Sequence, residues 1–125
     1  MSAILTPFVE DLQLPERPAS VSPSKLASRL NMSVNDLALV AKVHRNTVRT
    51  HPESPRLQEF MRDVLRVVVA AEAITRDRDK AIYWMKNQSL PTFGHQTAFE
   101  LITEDRARVK DVLGYLNSIE SGFVG

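Results

Sequence analysis

The sequence predicts an all-α protein, and three observations carry the prediction. From Pro55 to Thr75, Leu57, Phe60, Met61, Val64, Val67, Val68, Ala71 and Ile74 recur every three or four residues. That spacing lines apolar side chains along one face of a helix. Helix-start signatures punctuate the chain at Ser22-Pro23, Ser33 with Asp36, Ser54-Pro55, Asp77, and Thr97 with Glu100. The last third then reads as helix, tight loop, short helix, long helix and tail. An apolar fraction of 43% supplies enough side chains for a core.

Residues 1–21 form an N-terminal arm. Ile4, Leu5, Phe8, Val9 and Leu12 fit either a loosely ordered segment or a short helix that docks on the body or swaps into a dimer, and Glu16 to Ser20 reads as linker. The region from 22 to 54 opens with Ser22 as N-cap and Pro23 at the first helical position, where a missing N–H costs nothing. The first helix runs from Pro23 to Leu30 and buries Leu26, Ala27 and Leu30. Ser33 and Asp36 box the start of a second helix whose Leu37, Val40 and Ala41 face inward. At Lys42-Val43-His44 the pattern breaks for a turn's length, and Arg45 to Thr50 make a short third helix anchored by Val48.

Ala38, Val43 and Val48 sit where a helix-turn-helix needs a small residue, a turn anchor and a later anchor. Between Lys42 and His51 the cations Lys42, Arg45 and Arg49 and the imidazoles His44 and His51 occur with no acid. Asn46, Thr47 and Thr50 have the donors and acceptors to reach base edges or phosphates from a helix in the major groove. Lys42, His44, Arg45, Asn46, Thr47, Arg49 and Thr50 are therefore candidate DNA contacts. The same residues also fit the solvated face of a helical bundle.

Residues 55–76 are a connecting helix. From Val67 to Ala73 its apolar character runs nearly all round, which suits either wrapping by Trp84 and the last helix or a subunit interface. Residues 77–125 make the C-terminal region. Asp77 caps a helix from Arg78 to about Lys86 that carries Trp84, a residue for the core or an interface. A loop over Leu90 to Gln96 leads to the capping box of Thr97 and Glu100. Thr103 is expected to restart a helix, with Glu104 and Asp105 in its first turn, where the helix dipole favours acids. Val109, Val112, Leu113, Leu116 and Ile119 form its buried stripe, Gly114 predicts close approach of another backbone, and Gly122 stands in the C-cap position.

A net charge of +1 means that any nucleic-acid binding must rest on a local patch. With no cysteine, disulfides, thiolate metal sites and cysteine nucleophiles are excluded together, which fits a reducing cytoplasm. The longest apolar run, Val67 to Ala71, is too short to span a bilayer, and the start of the chain lacks a basic-then-apolar leader, so no membrane association is expected. Every glycine lies at or beyond position 94, which leaves no glycine-rich phosphate loop. No His-Glu-x-x-His, Gly-x-Ser-x-Gly or calcium-loop pattern occurs. His44 and His51 are poorly spaced for a metal and lack an evident third ligand, and a loop histidine bonded to a helix start accounts for His95 beside Glu100. No catalytic residue, metal or cofactor is expected.

Ala81 and Trp84, then Phe93-Gly94, then Thr97-Ala98-Phe99-Glu100-Leu101-Ile102-Thr103, and at the end Ile119-Glu120-Ser121-Gly122, form a succession. It resembles the toxin-binding domain of the Xre/ParS-type (MbcA-like) antitoxins that partner RES-domain toxins. His95 stands where that family has a second glycine, and Ala98 where it has proline. The resemblance covers the C-terminal third closely and the first half only in general plan. It implies a non-catalytic antitoxin that neutralises a NAD-consuming or ADP-ribosylating toxin, with operator DNA as a further partner and a homodimer as its state. On that reading the long last helix docks on the toxin and delivers the tail, so toxin contacts are expected on Trp84, Glu104, Arg108, Asp111, Tyr115 and Glu120, and on Phe123, Val124 and Gly125. A stand-alone DNA-binding regulator and a helical adaptor acting through Val67 to Trp84 are the rival readings. Operator binding without a co-purifying partner would mark the first, and absence of both DNA retention and any effect on NAD turnover would mark the second.

Overall fold

A computed structural model of the chain describes residues 12–14 and 17–122. Two strands, β1 (Gln13–Leu14) and β2 (Arg17–Val21), come first. Helices α1 (Pro23–Arg29), α2 (Val34–Ala41), α3 (Arg45–Thr50), α4 (Pro55–Thr75), α5 (Arg78–Asn87), α6 (Ala98–Glu104) and α7 (Arg108–Glu120) follow, with a 3-10 turn at Pro91–Phe93. The protein is all-α apart from the small ribbon. It divides into two compact units at the junction of Arg62 and Asp63, which lies within α4.

In the first unit, β1 and β2 pair antiparallel, Gln13 opposite Val21 and Leu14 opposite Arg17. This corrects the expectation of a linker over Glu16 to Ser20. A two-stranded ribbon has only edges, where a proline such as Pro18 is tolerated, so proline did not argue against a strand here. The ribbon is held from outside by Gln58 of α4, which is 2% exposed. Its Oε1 accepts the Val21 N–H at 2.9 Å, and its Nε2 donates to the Val21 carbonyl at 2.8 Å and to the Pro52 carbonyl at 2.8 Å. The side-chain amide thus supplies the donor and acceptor that a third strand would have supplied. The Ser22 N–H donates to the Leu12 carbonyl at 2.6 Å, and Leu12 and Val21 are buried. The candidate arm helix of Ile4, Leu5, Phe8 and Val9 lies outside the described residues.

The first two helices begin where their caps predict. Ser22 Oγ accepts the Lys25 N–H at 3.3 Å, with Pro23 at the helix start. Ser33 and Asp36 form a reciprocal box at the start of α2, through bonds of 3.0 and 3.5 Å. Lys42 ends α2 in the left-handed region, φ 60°, ψ 44°. Leu26, Ala27, Leu30, Leu37, Ala38, Ala41 and Val48 are buried, while Val40 and Val43 are half-buried. Pro55 opens α4 as expected, yet Ser54 Oγ is buried and finds no hydrogen-bond partner among the described residues. The Ser54 carbonyl takes the Gln58 N–H, the ordinary first bond of the helix, so the expected cap through the hydroxyl is not made.

In the second unit, Val64, Leu65, Val67, Val68 and Ala71 of α4 are buried, Val69, Ala70 and Ile74 are half-buried, and Ala73 is exposed. Asp77 Oδ1 caps α5 by accepting the Lys80 N–H at 3.0 Å, and Ala81, Ile82 and Met85 face the core. The loop closes on itself through a bridge between Leu90 and Gln96, and Gly94 and His95 take positive φ at 67° and 66°. Thr97 and Glu100 form the expected box, at 3.0 and 2.8 Å, and seat Ala98, Leu101 and Ile102 in the core between α5 and α7.

The α6–α7 junction differs from expectation. Thr103 does not start a helix: its hydroxyl donates to the Glu100 carbonyl at 2.9 Å, one turn back, and it lies inside α6. Glu104 is the last residue of α6 and Asp105 its C-cap, so both acids sit at the negative end of a helix dipole. Asp105 Oδ1 accepts the Ala107 N–H at 2.9 Å, which turns the chain into α7. Along α7, Val109, Val112 and Leu116 are buried, but Leu113 is half-buried and Ile119 is 41% exposed. At 100° per residue these two flank the stripe by roughly 60° on either side. Gly114 is exposed, and among the described residues no atom outside its own stretch of helix comes within 4 Å of where its Cβ would stand, against the expected close packing. A glycine inside a helix costs about 1 kcal/mol relative to alanine. Gly114→Ala is therefore expected to stabilise the chain by about that amount in urea titration, with unchanged slope. Gly122 follows the C-cap Ser121 at φ 80°, the left-handed role expected of it.

Candidate functional site

Within the first unit, the candidate DNA contacts cluster on α3 and the turn before it. Lys42, His44, Arg45, Asn46, Arg49 and Thr50 are exposed and Thr47 is half-buried. Several also hold the local fold. His44 Nδ1 accepts the Asn46 N–H at 3.1 Å and so serves as the N-cap of α3. Thr50 Oγ1 donates to the Asn46 carbonyl at 2.8 Å and lies 2.9 Å from His51 Nδ1. Lys42 occupies the left-handed turn position that glycine fills most easily, so the turn forms here without a glycine. The result is a short helix with an acid-free, basic outer face beside α2. On the outer side of α2, Leu39 is 75% exposed.

In the second unit, three of the candidate toxin contacts gather around a residue that sequence reasoning used only as a motif member. Phe93, at the end of the 3-10 turn, packs edge-on against Tyr115 of α7, with ring centroids 5.8 Å apart at 75°. The guanidinium carbon of Arg108 lies 5.5 Å from the Phe93 ring centroid, within cation–π range. Arg108 Nε donates to Asp111 Oδ2 at 2.9 Å, one turn along the same helix. Phe93, Arg108 and Tyr115 are half-buried and Asp111 is exposed. The signal that could have found Phe93 was its place in Pro91-Thr92-Phe93-Gly94, an aromatic ring on a tight turn.

The other candidates lie apart from this group or serve it indirectly. Glu104 is exposed and accepts from Gln96 Nε2 at 2.7 Å, tying α6 to the loop. Trp84 is half-buried on α5, and its neighbour Tyr83 is 69% exposed. Glu120 is exposed at the end of α7. Phe123, Val124 and Gly125 lie outside the described residues. One further group sets the start of α7: the buried Asp63 of α4 accepts from Arg106 Nε at 3.3 Å and from Arg66 Nη1 at 3.3 Å. Among the described residues no group of histidines and acids has the arrangement to hold a metal, and no helix is long and apolar enough to cross a membrane.

Comparison with known proteins bears on this second unit. Residues 70–122 match the family model described as the antitoxin Xre/MbcA/ParS C-terminal toxin-binding domain. No curated protein and no solved structure matches the chain. The matched span takes in the end of α4, α5, the 3-10 turn, α6 and α7, including the whole Phe93–Arg108–Tyr115 group. Over residues 70–122 the chain is thus similar to the C-terminal toxin-binding domain of the Xre/MbcA/ParS antitoxins.

Proposed function

We propose that this chain is the antitoxin of a type II toxin–antitoxin pair, and that it binds and blocks a RES-domain toxin acting on NAD. The family match over residues 70–122 carries the reading. The proposed inhibitor works by occupation, with no catalysis of its own. α7 docks on the toxin and directs the tail, Phe123 to Gly125, into the toxin's cleft. A cleft that binds the pyrophosphate of NAD is cationic, so Glu120 has arginines to pair with, and Phe123 fills an apolar part. A second role, repression of its own operon, is supported by the exposed, acid-free basic face of α3 and its preceding turn. A homodimer would present two such helices to an operator.

The test is NAD consumption by the RES-domain protein expected in the adjacent gene, with the full chain added at equal concentration. Consumption is expected to stop. A chain ending at Gly122 is expected to need at least tenfold more protein for the same inhibition. Equal inhibition by the shortened chain would remove the tail from the mechanism. Absence of any association would remove the toxin assignment and leave DNA binding as the function to pursue.

A further inference from the structure

The arrangement around Arg108 says more about the partner than that it is a toxin. We propose that Arg108 is the residue through which the toxin-binding domain selects its partner. It would do so by taking a carboxylate of the toxin on its free guanidinium edge, beside an apolar rim of Phe93, Tyr115 and Ile119. The inference rests on the toxin reading above and adds the chemistry of the contact.

Four observations support it. First, the guanidinium is held before any partner arrives. Its face lies over the Phe93 ring at 5.5 Å, and its Nε–H is given to Asp111 at 2.9 Å. An arginine fixed in this way loses less rotational freedom on binding than a freely moving cation does. Second, the hydrogen-bonding capacity is not used up. A guanidinium has five N–H donors in a planar fork. Among the described residues Asp111 is the acceptor that Arg108 meets, through Nε, while the side chain is 37% exposed. The two terminal nitrogens have the spacing to grip both oxygens of one carboxylate. Third, the helix does not call for a cation here. Arg108 is the first residue of α7, where the dipole opposes positive charge, and the N-cap Ala107 offers no side-chain bond. Lys110, also exposed, adds a second cation in the same turn, so the single acid Asp111 leaves that turn net positive. Fourth, the rim is apolar and outward-facing: Ile119, one turn beyond Tyr115 on the same side of α7, is 41% exposed. Aromatic residues around an arginine that a partner would desolvate make the kind of cluster that dominates binding energy.

A carboxylate on a protein suits this site better than a nucleic-acid phosphate. Asp111 beside the guanidinium opposes each incoming anion, and a phosphate backbone brings several where a side-chain carboxylate brings one. A side-chain carboxylate meets Arg108 at one point. The surrounding residues also fall within the domain whose family description is toxin binding.

The experiment measures the affinity of the full chain for the neighbouring RES-domain protein by calorimetry, with thermal melts on the same samples. Arg108→Gln is expected to weaken binding at least tenfold. Arg108→Lys is expected to weaken it nearly as much, because an ammonium keeps the charge but lacks the fork and the stacking plane. Phe93→Leu, which keeps an apolar rim and removes the stacking face, is expected to cost several-fold. Unfolding temperatures should stay within a few degrees of the parent's. Wild-type binding with Arg108→Lys at full affinity would overturn the carboxylate fork, and Arg108→Gln at full affinity would overturn the contact itself. If the wild-type chain forms no complex, the toxin reading fails and this inference with it. If instead the chain binds a duplex DNA probe and Arg108→Gln abolishes that, the site belongs to a phosphate and the proposal is overturned.

Discussion

Gln58→Leu is expected to destabilise the chain by about 3 kcal/mol, among the largest single-residue effects outside the apolar core. The side chain is buried and makes three hydrogen bonds, two to the main chain of Val21 and one to the Pro52 carbonyl, all at 2.8–2.9 Å. Leucine matches its bulk, so the loss is one of polar partners and not of volume. Each buried N–H or C=O left without a partner costs about 1–3 kcal/mol. Burying a leucine in place of an amide recovers only part of that total. Gln58→Glu provides a second arm. A carboxylate can still accept from the Val21 N–H, but it has no N–H for the two carbonyls, and its charge is costly in a buried site. It should be at least as destabilising at neutral pH as leucine. Urea titration followed by circular dichroism reads both, and hydrogen exchange of the Val21 amide locates the effect. If Gln58→Leu leaves the midpoint unmoved, the ribbon is not held by this side chain.

Leu101→Ala is expected to cost about 3 kcal/mol in the second unit. Leu101 is 1% exposed on α6, a helix packed between α5 and α7. Removing its branched end forfeits the transfer energy and leaves a cavity that neighbours such as Ile102 and Val112, already buried, fill only in part. Domains of this size have only about 5–15 kcal/mol in total. The variant should therefore unfold well below the parent, and toxin affinity measured near its midpoint should fall as the folded fraction falls. Leu101→Met, nearly volume-conserving, should lose less than about 1.5 kcal/mol and bind normally. A Leu101→Ala chain as stable as the parent would mean that α6 contributes little to the core.

The comparison of sequence and structure has a physical pattern. Features written in adjacent residues were legible. The boxes at Ser33–Asp36 and Thr97–Glu100 form as their three-residue spacing predicts, and α4 spans Pro55–Thr75 with its apolar stripe buried through Ala71. Features decided by distant partners were not. The ribbon of β1 and β2 depends on Gln58, 37 residues from Val21, and neither strand has an apolar alternation to announce it. At the α6–α7 junction, Thr103 followed by two acids looks locally like a helix start. The hydroxyl bonded back to Glu100 instead, and Asp105 took the turn. The candidate site shows the same division. Arg108, Asp111 and Tyr115 were named with the toxin-binding resemblance, and their spacing on one helix places them near one another. The ring that organises Arg108 and Tyr115 comes from the loop before α6, which no local pattern links to α7.

The open space beside Gly114 has a practical use. The chain has no cysteine, so Gly114→Cys would give one thiol for a fluorophore or spin label, without background. A label there sits on α7 within one turn of Asp111 and Tyr115, at an exposed position where an added Cβ meets no described neighbour. Its emission or mobility would follow the arrival and departure of a partner in real time. An open position on the helix proposed to dock is thus a place from which to watch binding kinetics.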